Sequence, residues 1–286
     1  MPRNPEREGR CEADPSRRRR GHLPLMGSHQ RCWIWGRHLV RETLEAGRWP
    51  MAELLLAETL DAGERAECRR RAETLGIRVL DVPAARLEQL AHTRDHQGYL
   101  ARMFEFPYES LGWLERSWPD EGAFLILLDG IQDPFNFGAI LRSAEIFGVQ
   151  AAVIPEHHQT GVTSLTARAS AGAVNRIPIV RVRCLEEAAA VLLRQGIRLV
   201  AASEKAERLI VETDFTAPVA LVIGNEGQGI RPEMLRTCDL SVKIPQFGRV
   251  GSLNAAVAAG IFCYEVRRQR MAAGSGAPAR SDRDLT

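Results

Sequence analysis

Three short stretches of this 286-residue chain hold residues whose types and spacing could do chemistry. The first is IPQFGRVGSLNAAVAAGIFCYE, from Ile244 to Glu265. Gly248 and Gly251 bend the chain after an apolar run, and Ser252 and Asn254 follow where a helix begins and unpaired N–H groups collect. A hydroxyl or amide there either caps the helix, with Ser252 as the candidate N-cap, or binds a ligand. AAVAAG then offers only small side chains, which admit a close ligand, a partner helix or both. The second stretch, LVIGNEGQGI, sets Gly224, Gly227 and Gly229 around the carboxylate of Glu226. The spacing is GxxGxG, a backbone that can lie against a flat ligand or simply turn, and not the GxGxxG dinucleotide fingerprint. The third, DGIQDPFNFGAILRSAE, puts Asn136 where it could cap a helix and Arg142 within that helix's first two turns, either as solvated surface or reaching back over the loop.

The elements that must position these residues alternate. AFLILLD is an apolar strand ending at Asp129, AILRSAEIFG a helix and AAVI a strand, a βαβ unit that predicts a parallel sheet covered on both faces. Further strands are expected at Ile179–Val182, Ile197–Ala201, Val219–Ile223 and Ser241–Ile244, with helices between and a last helix to about Arg270. All three stretches then fall at the carboxyl ends of strands, where open α/β sheets hold their ligands.

Upstream, Cys32 to Met103 reads as a smaller α/β unit. WGRHLVRETLEAG is a helix, ELLLA a strand, Glu64 to Leu75 a helix and IRVLDV a strand, followed by a short helix from Pro83 to Leu90 and the strand GYLARM. His96 and Gln97 either touch a ligand or cap a turn. The expected division is a disordered Arg-bearing tail over 1–30, a first domain over 31–104, a linker over 105–120 whose Trp113 and Trp118 pack against one of the domains, a second domain over 121–270 and a flexible tail over 271–286. No apolar run approaches membrane-spanning length and no signal-peptide core opens the chain, so a cytoplasmic protein with no membrane contact is expected. The six cysteines are scattered and form no CxxC pair, which argues for reduced thiols and neither a zinc site nor a disulfide framework. Net charge is only +2, so composition announces no polyanionic partner.

The three stretches, in their order, resemble the three motifs of the SpoU (TrmH-type, SPOUT superfamily) RNA 2'-O-ribose methyltransferases. TSLTARASAGAVNRIPIVRV, with Ser170 and Gly172, is similar to the segment that these enzymes place beside the active site. WGRHLVRETLE and HQGYLA resemble the family's substrate-binding domain, which is similar to the L30e/L7Ae RNA-binding fold. The resemblance implies a parallel-sheet domain with a trefoil knot, a homodimer, S-adenosyl-L-methionine as cofactor, no metal, and methylation of an RNA ribose. It implies active-site roles for Arg142, Asn136, Glu226, Ser252 and Asn254, and cofactor binding around Ile223, Gly224, Asn225, Gly227, Ile244, Gln246 and Leu253. Its N-terminal domain points to a guanosine of 23S rRNA. The alternatives are a tRNA ribose methyltransferase and a non-catalytic RNA-binding ribosome-assembly protein; five intact site residues argue against the last. The family often has methionine after Ile-Pro, where this chain has Gln246 and Phe247.

Overall fold

A computed structural model describes residues 24–26, 32–117 and 122–274. The N-terminal unit is β1 (Trp33–Trp35), α1 (Arg37–Ala46), β2 (Met51–Ala57), α2 (Ala62–Thr74), β3 (Arg78–Val82), α3 (Ala84–Ala91) and β4 (Tyr99–Met103), with sheet order β1-β4-β2-β3. Trp35, expected in the first helix, belongs instead to β1, which pairs antiparallel with β4. Gly36, at φ 98°, turns the chain before the helix starts. Residues 24–26, expected in the disordered tail, continue this pairing through a bridge between Leu25 and Phe104. The rest of 1–30, together with Trp118, lies outside the described residues.

The second unit runs α4 (Leu111–Arg116), β5 (Phe124–Asp129), α5 (Pro134–Ile146), β6 (Ala151–Pro155), α6 (Ser164–Ala169), β7 (Ile179–Val182), α7 (Leu185–Arg194), β8 (Arg198–Ala202), β9 (Arg208–Leu209), β10 (Val219–Gly224), α8 (Pro232–Thr237), β11 (Leu240–Lys243) and α9 (Ala255–Ala272). Its seven strands order β7-β6-β5-β10-β8-β11-β9, and every pairing is parallel. All six residues of β5 are buried because helices cover both sheet faces. One face packs against α5, α6 and α9, the other against α4, α7 and α8. Gly138 of α5 permits the close approach of α6, since a Cβ there would stand 2.5 Å from the Ala169 Cβ and 2.6 Å from the Thr166 carbonyl oxygen.

The expected linker is fastened over its described residues. Glu109 exchanges backbone hydrogen bonds with Ile179 and Arg181, extending the β7 edge. Tyr108 stacks edge-on to Phe106 at 5.0 Å, lies under Arg181 at 4.2 Å and accepts the Val162 N–H at 2.7 Å. Across the units, Asn175 Nδ2 donates to Thr43 Oγ1 at 3.0 Å with both residues buried, and Arg176 pairs with Glu42 at 2.6 Å. Their apolar cluster is continuous, so the N-terminal unit is docked and does not swing on a tether.

The far end of α9 is held by Arg270, which is 4% exposed and donates to the carbonyls of Phe215, Gly122, Ala123 and Ala217. It thereby ties the last helix to the starts of β5 and β10. Replacing it with methionine would leave several buried carbonyls without this donor, at about 1–3 kcal/mol each. Arg270→Met is therefore expected to cost about 3 kcal/mol or more, lowering the calorimetric melting temperature by roughly 6–12 °C. Burial pushes the thiols of Cys238 and Cys263 up to about 12, which keeps them protonated at neutral pH.

Candidate active site

β5, β10 and β11 all deliver loops to one edge of the sheet. Asp129 and Gly224 are register partners, so the loops after β5 and β10 leave side by side. The second is a tight turn, in which Asn225 and Gly229 exchange backbone hydrogen bonds at 3.0 and 2.9 Å. Asn225 holds it from inside, its Oδ1 accepting from Gly227 N at 2.8 Å and Gln228 N at 3.2 Å while its Nδ2 donates to the Gly130 carbonyl at 2.7 Å. One side chain thus shapes the glycine turn and ties it to the loop after β5.

A chain of hydrogen bonds joins all three loops. Asn254 Nδ2 donates to Asn136 Oδ1 at 3.0 Å, and Asn136 Nδ2 donates to Glu226 Oε1 at 2.6 Å. Asn136 is available for this because it does not cap α5. Asp133 does, accepting from Phe135 N at 3.0 Å with Pro134 at the first helical position. Asn254, and not Ser252, caps α9, its Oδ1 accepting from Ala256 N at 2.9 Å and Val257 N at 3.2 Å. Those two bonds fix the amide so that its Nδ2 faces Asn136, and Ser252 is left exposed.

Next to this chain lies a cleft of about 390 Å³. Ile223, Gly224, Asn225, Gly227, Ile244, Gln246 and Leu253 all border it, as do Glu226 and Ser252. Arg142 does not, and among the described residues it is exposed with no hydrogen bond or ion pair of its own. Sequence reasoning missed a fourth wall, Ser203, Glu204 and Lys205, which follow β8. The strand order could have revealed it, since β8 is the neighbour of β10. Lys205 and Lys243, the chain's two lysines, both border the cleft, opposite in charge to Glu204 and Glu226. The cleft therefore combines apolar walls, exposed backbone and charges of both signs, and its volume suits a small-molecule ligand.

Parallel sheet, glycine turn and hydrogen-bonded carboxylate define an α/β enzyme that binds a small ligand at the carboxyl edge of its strands. Residues 123–264 match the model of the SpoU rRNA Methylase family, and residues 33–109 that of RNA 2'-O ribose methyltransferase substrate binding. The chain is 37% identical over 243 residues to the 23S rRNA (guanosine-2'-O-)-methyltransferase RlmB of Coxiella burnetii, covering 84% of this chain and 96% of that one. It is 35% identical over 251 residues to the uncharacterized tRNA/rRNA methyltransferase ML0324 of Mycobacterium leprae, covering 87% and 81% of the two chains. The crystal structure of an AdoMet-bound rRNA methyltransferase from Sinorhizobium meliloti superposes with a TM-score of 0.71 at 28% identity, over 84% of this chain and 87% of that one. The chain belongs to the SpoU family of RNA methyltransferases. It is an S-adenosylmethionine-dependent enzyme of RNA 2'-O-methylation, with an α/β fold and an N-terminal substrate-binding domain.

Proposed function

We propose that the chain methylates the ribose 2'-hydroxyl of a guanosine in 23S rRNA, acting as a homodimer in the cytoplasm. The observation that carries the site reading is the hydrogen-bond chain from Asn254 through Asn136 to Glu226, which ties three loops of distant sequence together beside the cleft. The matched substrate-binding unit and the likeness to the 23S rRNA (guanosine-2'-O-)-methyltransferase of Coxiella burnetii support the rRNA target.

In this reading Ile223, Gly224, Asn225, Gly227, Ile244, Gln246 and Leu253 would hold the cofactor, the apolar side chains as walls and the glycine turn as a surface it can lie against. Lys205, Lys243 and Glu204 complement its carboxylate and ammonium groups. When bound, S-adenosylmethionine supplies an electrophilic methyl group on a sulfonium. The 2'-hydroxyl is a poor nucleophile until it loses its proton. Arg142 carries a guanidinium, too weak a base for that task, so its role is to orient the hydroxyl or the neighbouring phosphate. Glu226, held by Asn136, takes the proton, and Ser252 and Asn254 position the target nucleotide.

A second copy of the chain has a surface to cover. Phe135 and Ile146 on α5, with Val257, Ile261 and Tyr264 on α9, are exposed large apolar residues on two helices that pack on each other. Arg142 sits on α5 between the first two, so a partner on this face would border it. Light scattering should give twice the 31.8 kDa chain mass, and Ile261→Asp should give monomers with little methylation. A wild-type monomer at micromolar concentration would refute the dimer. The trefoil knot belongs to the same reading, supported by the packing of α9, the last element of the second unit, on α5, β8 and β10.

The target is tested with labelled cofactor and RNA from cells lacking the gene. A 2'-O-methyl group blocks self-cleavage of the adjacent phosphodiester, so the mark survives alkali. One alkali-resistant linkage 3' of a guanosine in 23S rRNA is expected; label in tRNA would move the assignment to tRNA.

A further inference from the structure

We infer that Asp129 and Arg231 are a positioning pair for the glycine loop, setting the enzyme's affinity for its cofactor. The inference rests on the reading of the cleft beside that loop as the cofactor site. The loop leaves the sheet at Gly224 and ends at Arg231, the residue before α8. Asn225 organises its interior, but the turn must also be set at the correct height over the sheet, and this depends on its two ends. Gly224 is held by its parallel pairing with Asp129. Arg231 is held by the same residue through the side chain. Asp129 Oδ2 accepts the Arg231 backbone N–H at 2.8 Å, and Oδ1 accepts Nε at 2.6 Å. One residue at the end of β5 therefore fixes both ends of the loop.

The chemistry of the pair suits positioning and not direct contact. The Asp129 side chain is 1% exposed, and a carboxylate so buried is costly unless its oxygens are bonded, as both are here. Arg231 is 45% exposed, and its guanidinium also reaches Glu186 in the first turn of α7 at 3.1 Å. The two carboxylates hold it from different elements, which limits its rotation as well as its distance. Neither Asp129 nor Arg231 borders the cleft. Loss of the pair would free the loop's exit while leaving the Asn225 turn intact, so the glycines would still form a turn but no longer a rigid wall. Such a wall contributes to binding by being ordered in advance.

The test uses the full-length protein, with calorimetry for S-adenosylmethionine binding and methylation of rRNA at saturating cofactor. Arg231→Ala removes the guanidinium's bonds to Asp129 and Glu186 while keeping the backbone N–H bond, with folding checked by circular dichroism, and Asp129→Asn keeps an acceptor for the backbone N–H while removing the charge. Both should raise the cofactor Kd about ten- to a hundredfold, the range for a lost bond to a charged group, with kcat unchanged. Arg231→Lys should recover part of the affinity. An unchanged Kd in Arg231→Ala would overturn the inference, as would a fall in kcat at constant Kd, or a loss of affinity that only follows loss of folded protein by circular dichroism. Leu253→Asp, in the cleft itself, separates the two readings. If it weakens binding and Arg231→Ala does not, only the positioning role fails. If neither weakens binding, the cleft reading fails and the inference with it.

Discussion

Arg142→Ala is expected to lower methylation of rRNA at saturating cofactor by about a hundredfold or more, the cost of losing the group that orients the reacting hydroxyl. Binding of S-adenosylmethionine should stay within a few fold. The reason is spatial: Arg142 lies on α5 outside the cleft, whereas every residue assigned to the cofactor borders it. Among the described residues Arg142 has no ion pair whose loss would disturb the fold, and its exposure leaves no cavity when it is shortened. Calorimetry and single-turnover methylation on one preparation check both halves. If cofactor affinity fell in step with activity, Arg142 would belong to the cofactor site and the assignment would be wrong.

Gly224→Ala should do the reverse and remove the cofactor site. A Cβ at this position would lie 2.2 Å from the Gly229 carbonyl carbon and 2.3 Å from the Ile230 nitrogen. Both are backbone atoms of the turn itself, so no side chain can swing aside. The turn must open, and overpacking of this kind costs about 1–3 kcal/mol or more, a loss of about five- to over a hundredfold in affinity if the strain is relieved by displacing the loop. Gly229→Ala is the informative companion. A Cβ there meets nothing within 4 Å, but φ is +71°, so the cost is confined to backbone strain of about 1–2 kcal/mol. The expected order of cofactor affinity is therefore wild type, Gly229→Ala, then Gly224→Ala. Equal affinity in all three would mean that the turn does not hold the cofactor.

The docking of the N-terminal unit bears on how substrate is selected. Tyr108, the Asn175–Thr43 hydrogen bond and a shared apolar cluster hold the substrate-binding unit in a fixed frame against the catalytic unit. Cutting the chain near Ser117 would expose that cluster as well as remove an RNA-binding surface.

Much of this enzyme was legible in its residue order. Apolar runs located β5, β6 and β10, which are buried along all or nearly all of their length, and the mostly buried β7 and β8. The two-residue β9 and the three-residue β1 escaped because nothing so short carries a period. The three loops stood out by their glycines and polar residues, and all seven residues expected at the cofactor do border one cleft. Capping was left open at Asn136 and Ser252, because several residues near a helix start can cap and only the local backbone path selects one. Asp133 and Asn254 took those places, and the choice at Asp133 left Asn136 for Glu226, 90 residues away. The fourth wall at Ser203–Lys205, the clamp between Asp129 and Arg231 and the fastening of the linker were likewise decided only in three dimensions. Each depends on which strands become neighbours in the sheet, and that follows from burial summed over the whole chain, whereas periodicity and turn chemistry are properties of a few consecutive residues.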